Sequence, residues 1–345
     1  METLLFLAHA ETDGLLGNHA LQALAAAKTL TEKLPGCAFV AGLVGADVDA
    51  AAHQIGGSGA ARILGAAAHP LAQSRYSTDI VAVEAICKAA GATIVVAPAT
   101  SRWNRVLGGA AQRLDGRIDT HVTAAAVADG SPAVTRWYYR QRMEGVVRRT
   151  RRPWFIVIDP GCCPAWIGPA GAAAVESVPV SIAEAGLRTT VTSIHAPAAD
   201  EQTIRPDAKL LFVAGAGWTK KQSDGQPHPE EAERLILDFL RRTKASLGST
   251  KSLVDLSGEG QSVLRFMSHL NQVGQTGSTP RHPKGLATCC HGEEPHTVGW
   301  RFITERRAVN LNPGCSWAQG KADVLYVADA FAVMRKLNEL LAPPA

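Results

Sequence analysis

The chain reads as an α/β protein: an N-terminal doubly wound α/β domain, then a C-terminal α/β domain with a parallel sheet. Three observations predict this. In the first half, short apolar runs alternate with alanine-rich stretches at helical spacing. Thr93 to Ala97 (TIVVA) is apolar without alternation, as expected of a strand covered on both faces of a parallel sheet. The strand–helix pattern begins again at Lys209, beyond a polar stretch with prolines at both ends, Pro197 to Pro206, which is the best linker candidate. The expected domains are residues 1–200 and 207–345.

The elements follow in order. Leu4 to Leu7 reads as a strand. Ala20 to Leu34 reads as a helix, with Leu21, Leu24, Ala27 and Leu30 near helical spacing, stopped by Pro35 and Gly36. Phe39 to Val44 is a second strand, Gly59 to Leu64 a short helical turn, Thr78 to Ala90 a helix closed by Gly91, and Arg105 to Leu114 another helix. From Ala133 to Ile158 the pattern turns towards strands, and Thr189 to Ile194 is the expected last strand of the domain. In the second domain, Leu210 to Ala214 is a strand ending in Gly215-Ala216-Gly217. His228 to Leu240 is an amphipathic helix with Pro229 and two glutamates in its first turn. Leu253 to Leu256, Leu286 to Cys289, Ala308 to Leu311 and Val324 to Ala328 are further strand candidates, and Ala330 to Leu341 is the closing helix.

A chain of 345 residues can bury two cores, and 46% hydrophobic with 19% charged residues is a globular composition. The net charge of +4 argues neither for nucleic acid nor for an anionic membrane. The strongest basic run, Arg148, Arg149, Arg151 and Arg152 beside Arg140 and Arg142, is either a solvated hairpin or a dock for an acidic patch. No N-terminal stretch resembles a signal peptide, and no apolar run approaches the ~20 residues of a membrane span. Seven cysteines, an odd count, suit reduced thiols. A cytoplasmic location is expected.

Several turns carry candidate chemistry. Gly215-Ala216-Gly217 after a strand is a weak nucleotide-binding signal, because the third glycine of the dinucleotide fingerprint is missing. Gln272-Val273-Gly274-Gln275-Thr276-Gly277 says more. Its glycines let backbone approach a flat ligand, and its polar side chains offer both donors and acceptors. The same pattern also suits a simple hydrogen-bonded turn. Cys289-Cys290-His291-Gly292 with His296 invites a metal or thiol reading, although neighbouring strand side chains point to opposite faces. Asn310, in Asn310-Leu311-Asn312-Pro313-Gly314, either belongs to a chain reversal or faces a crevice at the strand ends. Asp329 either accepts from a ribose hydroxyl or caps the last helix.

These residues carry a family resemblance. Gln272 to Gly277 (QVGQTG) matches the signature of the alpha (large) subunit of electron-transferring flavoproteins. Ala20 to Leu30, Val95 to Ser101 and Asp119 to Thr123 resemble its earlier segments in order. His291-Gly292 with His296 is similar to its serine-glycine-x-x-glutamine-histidine stretch. Asn310 to Pro313 resembles its asparagine-x-aspartate-proline turn, and Val327 to Asp329 its late aspartate turn.

The resemblance implies an N-terminal domain that meets a beta-type partner subunit holding AMP, and a C-terminal domain that holds FAD. Gln275 and Thr276 would lie near the ring edge, His291, Gly292 and His296 beside it, and Asn310 and Asp329 at the adenosine half. Thr250 and Lys251 would complete the site, Lys251 standing where the family has arginine. It further implies a heterodimeric electron carrier with no catalytic residue and no metal. Its donor would be a flavin dehydrogenase, with amine-demethylating enzymes among the candidates, and its acceptor a membrane quinone oxidoreductase.

The departures are specific. Gly217 stands where a first arginine is usual, His291 replaces the serine, Pro295 the glutamine, and Glu293 and Glu294 sit where small or apolar residues are usual. Lysine cannot reproduce a planar guanidinium. A cofactor-less scaffold and a thiol or metal redox protein using Cys289 and Cys290 are the alternative readings.

Overall fold

The first strand sets the architecture of the N-terminal unit. In β1 (Thr3–His9), Leu4, Phe6 and Ala8 join one hydrophobic cluster, and Leu5 and Leu7 join another. A strand whose alternate residues both find cores must lie inside a sheet covered on two faces. The first cluster takes in Ala20, Ala23, Leu24, Ala27 and Leu30 of α1 (Asn18–Lys33). The second takes in α3 (Tyr76–Ala90) and α4 (Ser101–Arg113) through Ile80, Val83, Ile86, Trp103 and Leu107.

The computed structural model describes residues 2–139, 143–193, 204–205, 208–255, 264–274, 277–278, 280–288, 303–314 and 322–342. Contacts divide the chain into two compact units, Met1–Ile194 and His195–Ala345. Of the candidate linker, only Ile204 and Arg205 are among the described residues.

The first unit completes its sheet with β2 (Ala38–Gly45), β3 (Arg62–Ala67), β4 (Ile94–Pro98), β5 (Arg117–Ala128), β6 (Ser131–Tyr138), β7 (Met143–Val147), β8 (Trp154–Ile158) and β9 (Val175–Ser177), with α2 (Asp49–Gln54) between β2 and β3. The order is β7-β6-β5-β8-β4-β1-β2-β3-β9. It is parallel except for β6 and β7, which fold back antiparallel at one edge. Two expectations are corrected here. Gly59 to Leu64 is not a helical turn: Gly59 ends a short 3₁₀ turn with φ +84°, and the chain then enters β3, where Ile63 and Leu64 are buried between β2 and β9. An alanine-rich composition favours helix, but burial within the sheet overrides it. Of the expected last strand, Thr189 to Ile194, the described residues 189–193 are exposed and form no strand, and β9 takes that edge.

In the second unit, β10 (Leu210–Ala214), β11 (Ser246–Ser249), β12 (Lys284–Thr288), β13 (Glu305–Asn310) and β14 (Val324–Val327) form an all-parallel sheet of order β11-β10-β12-β13-β14. α5 (Pro229–Thr243) and α7 (Ala330–Leu340) cover one face, packing Ile236, Phe239, Phe331 and Met334 on Phe212 and Leu247. α5 starts on Pro229 with Glu230 and Glu231 in its first turn, as its sequence predicts. Residues 253–255 are not a strand. They lie in the short helix α6 (Lys251–Asp255), where the Thr250 Oγ1 accepts from the Leu253 N–H at 3.3 Å. The strand at that edge is β11, four residues without β-branching.

The basic run of the first unit is neutralised within it. Arg148 pairs with Asp129 at 2.8 Å, Arg151 with Asp115, and Arg152 with Glu2 at 2.6 Å. Arg149 reaches the fully buried Asp119 at 2.8 Å, where Arg136 and the Trp154 indole also donate. Burial alone would raise the Asp119 carboxyl, but these three donors outweigh it and hold the group below the usual carboxylate range.

Two predictions follow from these buried groups. Asp119→Ala strands two guanidiniums and an indole N–H, and should destabilise the unit by about 3 kcal/mol. Urea unfolding reads it, and an unchanged midpoint would mean that the donors rehydrate at no cost. The second concerns His9, which is 8% exposed at the end of β1. Burial, then Arg102, pushes it from 6.5 down to about 4. Between those values the unfolded chain binds more protons, so stability falls as pH falls through that window, by up to about 3 kcal/mol. Glu11, raised by burial, gains its proton earlier in the folded chain and offsets part of this loss. His9→Asn should flatten the plot of urea midpoint against pH below 6.5; an unaltered slope would place the acid sensitivity elsewhere.

Candidate functional site

The strand register of the second sheet aligns a row of carboxyl ends. Ala214 stands opposite Ser249 on one side and Thr288 on the other, Thr288 opposite Val309, and Asn310 opposite Val327. The order reverses between β10 and β12, and at such a switch point the crevice outside the strand ends is the usual ligand site of an open α/β sheet. Four strand spacings of ~4.8 Å make the row about 19 Å long.

Of the residues read from the sequence, Thr250, Lys251, Gln272, Val273, Gly274, Gly277, Asn310 and Asp329 are among the described residues and lie at or beside these strand ends. At its β11 end, the Thr250 N–H donates to the Ala214 carbonyl at 2.9 Å. Lys251 opens α6, and its ammonium pairs with Asp255, which also takes His269 Nε2 at 2.8 Å. Lys251 first, and then His269, hold the Asp255 carboxyl below its ordinary range. The charge of Lys251 is thus already committed within the helix.

The Gln272–Gly277 loop is fastened to the same strand. The Val273 N–H donates to the Ser249 carbonyl at 3.0 Å, and Asn271 Nδ2 donates to the Leu247 carbonyl at 3.2 Å. Val273 is buried against Gly248, where an added Cβ would stand 2.6 Å from its Cγ2. The described part of the loop is a closed turn. Gly274, at φ +83°, donates to the Ser278 carbonyl at 2.8 Å and accepts from Gly277 at 2.7 Å. Gly277 itself has no room for a Cβ, which would strike the Gln272 carbonyl. Gln275 and Thr276 lie outside the described residues.

At the β14 end, Asn310 closes β13 and accepts from the Asn312 N–H at 3.0 Å, and Asp329 accepts from the Ala332 N–H at 2.8 Å as the cap of α7. The capping reading of Asp329 is thus observed, and its second oxygen makes no bond among the described residues. Asn310, Asp329 and Gln222 line one cavity of about 10 Å³, room for about one water. Gln222 was not singled out in the sequence, although it lies only five residues beyond the glycine turn and donates to the Gly217 carbonyl at 3.0 Å. Thr288 was missed too. It ends β12, takes the Trp218 indole N–H at 2.9 Å, and its carbonyl takes Gly215 N–H at 3.0 Å. Its signal was a polar residue closing an apolar strand.

Cys289, Cys290, His291, Gly292, Glu293, Glu294, Pro295 and His296 lie outside the described residues, as does Cys315. The second cysteine pair, Cys162 and Cys163, belongs to the first unit, where Cys163 Sγ donates to the Gln22 carbonyl at 3.1 Å. Among the described residues no group of three or more His, Cys, Asp or Glu could hold a metal ion. No described helix is long and apolar enough to cross a membrane.

Gly277→Ala should cost about 1–3 kcal/mol by overpacking the turn, with faster proteolytic cutting near the loop. Wild-type melting and cutting would show that the turn relaxes freely.

The chain matches no curated protein. The family model described as electron transfer flavoprotein domain matches residues 4–183, just over half of the chain, which takes in all of the first unit's sheet except Thr3. The chain therefore belongs to the electron transfer flavoprotein domain family.

Proposed function

We propose that this chain is the FAD-carrying alpha-type subunit of a heterodimeric electron transfer flavoprotein. The observation that carries the reading is the convergence of Thr250, the Gln272–Gly277 loop, Asn310 and Asp329 on the carboxyl edge of one parallel sheet. The residues present fit such a group. The crevice follows a switch point and is long enough for an extended dinucleotide, and the absent side chain of Gly277 lets the loop close tightly at its rim. The 10 Å³ cavity is too small to enclose a ribose, so the sugar would lie across it, within reach of Asp329 and Asn310.

When bound, FAD supplies a ring that takes up and releases electrons. The chain's own part is positioning. Gln275 and Thr276 would meet the ring edge, while His291, Gly292 and His296 would line its other side. His296, placed at the N1 side, would favour negative charge there. Nothing in this scheme requires an acid or base acting on a substrate. A beta subunit carrying AMP is the expected partner, a flavin dehydrogenase the donor and a membrane quinone oxidoreductase the acceptor.

One observation favours a second reading, a scaffold without cofactor. Lys251, the replacement for the family's arginine, is paired with Asp255, and Gly217 offers no side chain. The visible spectrum of the purified complex separates the readings. FAD binding predicts flavin absorption bands with roughly one FAD per chain. A colourless, folded complex that rejects added FAD would sink the proposal in favour of the scaffold. Broad iron–sulfur absorption would favour the cysteine reading.

A further inference from the structure

A groove of about 580 Å³ runs between α5 and α7 of the second unit. It is lined by Arg234, Arg241, Arg242, Arg335, Asp238 and Asn338, among others. Both helices begin at the carboxyl edge of the sheet and run back towards the strand starts, so Arg241, Arg242 and Asn338 lie at the end opposite the crevice.

Two carboxylates serve four guanidiniums here. Arg241 and Arg242 share Asp238, at 3.4 and 3.0 Å, and Arg234 and Arg335 share Glu231, at 3.8 and 2.8 Å. Glu339 is taken by Lys336 at 2.9 Å. The walls therefore carry two positive charges beyond those their acids neutralise. Cations in a last helical turn offset the helix dipole, which accounts for Arg241 and Arg242. It does not account for Arg234 or Arg335, which sit in mid-helix.

The second observation lies deeper. Asn338 is 7% exposed, and its Nδ2 donates to the Leu235 carbonyl at 3.0 Å. Its Oδ1 is buried and has no hydrogen-bond partner among the described residues. Buried amide oxygens are nearly always paired, and one that is not gains from any donor brought to it.

We propose that this groove binds a small phosphate monoester, a sugar phosphate or a nucleotide. The phosphate lies between the guanidiniums, and the groove wall shifts so that a hydroxyl or amino group of the ligand donates to Asn338 Oδ1, which is buried in the free chain. A phosphate dianion matches the two surplus charges, and guanidinium forks pair with its oxygens. The volume falls in the range of about 300–1,000 Å³ typical of small-molecule sites. The groove is independent of the flavin reading, since it shares no residue with the crevice.

The test titrates ribose 5-phosphate, AMP, ribose and sulfate into the full chain by calorimetry, and repeats this with R242Q/R335Q. At least one phosphate ester should bind, with ribose and sulfate weaker by about ten-fold or more, and the double variant should lose about ten-fold or more. AMP tighter than ribose 5-phosphate by about ten-fold identifies a nucleotide site, and comparable affinities a sugar phosphate site. Failure of both esters to bind, equal binding of sulfate, or full affinity in the double variant overturns the proposal. Should that variant not fold, Arg335→Gln alone, at a half-exposed side chain, carries the same expectation.

Discussion

The close approach of Val273 to Gly248 holds the carboxyl edge of the second sheet together. A side chain at 248 would push the loop off β11, because an added Cβ would stand 2.6 Å from Val273 Cγ2. The bond from Val273 N–H to the Ser249 carbonyl would be lost with it. Val273 also fills the face of the sheet opposite α5 and α7, beside Leu211, Val213, Ala287 and Ala308. One contact therefore seals a core, fixes a loop and delimits a crevice. The turn glycines serve the same end: Gly274 supplies the positive φ and Gly277 the missing Cβ, and together they close the loop on itself while Val273 anchors it.

That coupling explains which parts of the structure were legible in the sequence. β1, β2 and β4 were readable because strands buried on both faces need continuous apolar runs. α3 and α5 were readable because caps and periodicity agreed, with Gly91 ending one and Pro229 starting the other. β11 was not, since Ser246, Gly248 and Ser249 owe their burial to tertiary neighbours rather than to apolar character. Reading 253–256 as the strand followed the hydrophobic residues one element too far. β3 failed for the same reason in reverse: its alanines and glycine favour helix locally, and only the two flanking strands make it extended.

The candidate site was legible in a different sense. Its residues were found through turns that follow strands, a signal about position in the chain. What the sequence could not supply was commitment. Lys251 looked like a charge available to a ligand, and it proves to be paired with Asp255 one turn away. The run from Arg148 to Arg152 could be read as a solvated hairpin or as a dock for an acidic patch, and each of its arginines meets an acid of its own unit. Such pairings depend on which elements the fold brings together, and Asp119 lies 30 residues from Arg149.

The same criterion separates the two sheets as places for a ligand. Both are parallel at their centres, and both have a switch point with polar groups at strand ends. At the first, between β1 and β4, His9 is 3.3 Å from Thr100 Oγ1, and Arg102 is held by both oxygens of Asp79 and by the Leu71 carbonyl. Thr100 also caps α4. The polar groups there close upon one another, and a ligand would have to break a buried ion pair to engage Arg102. At the second, Asp329 keeps an oxygen without a bond among the described residues, while the loop glycines close their own turn. A ligand gains most from a group that folding leaves unspent, and the second oxygen of Asp329, at the carboxyl edge of the second sheet, is one such group.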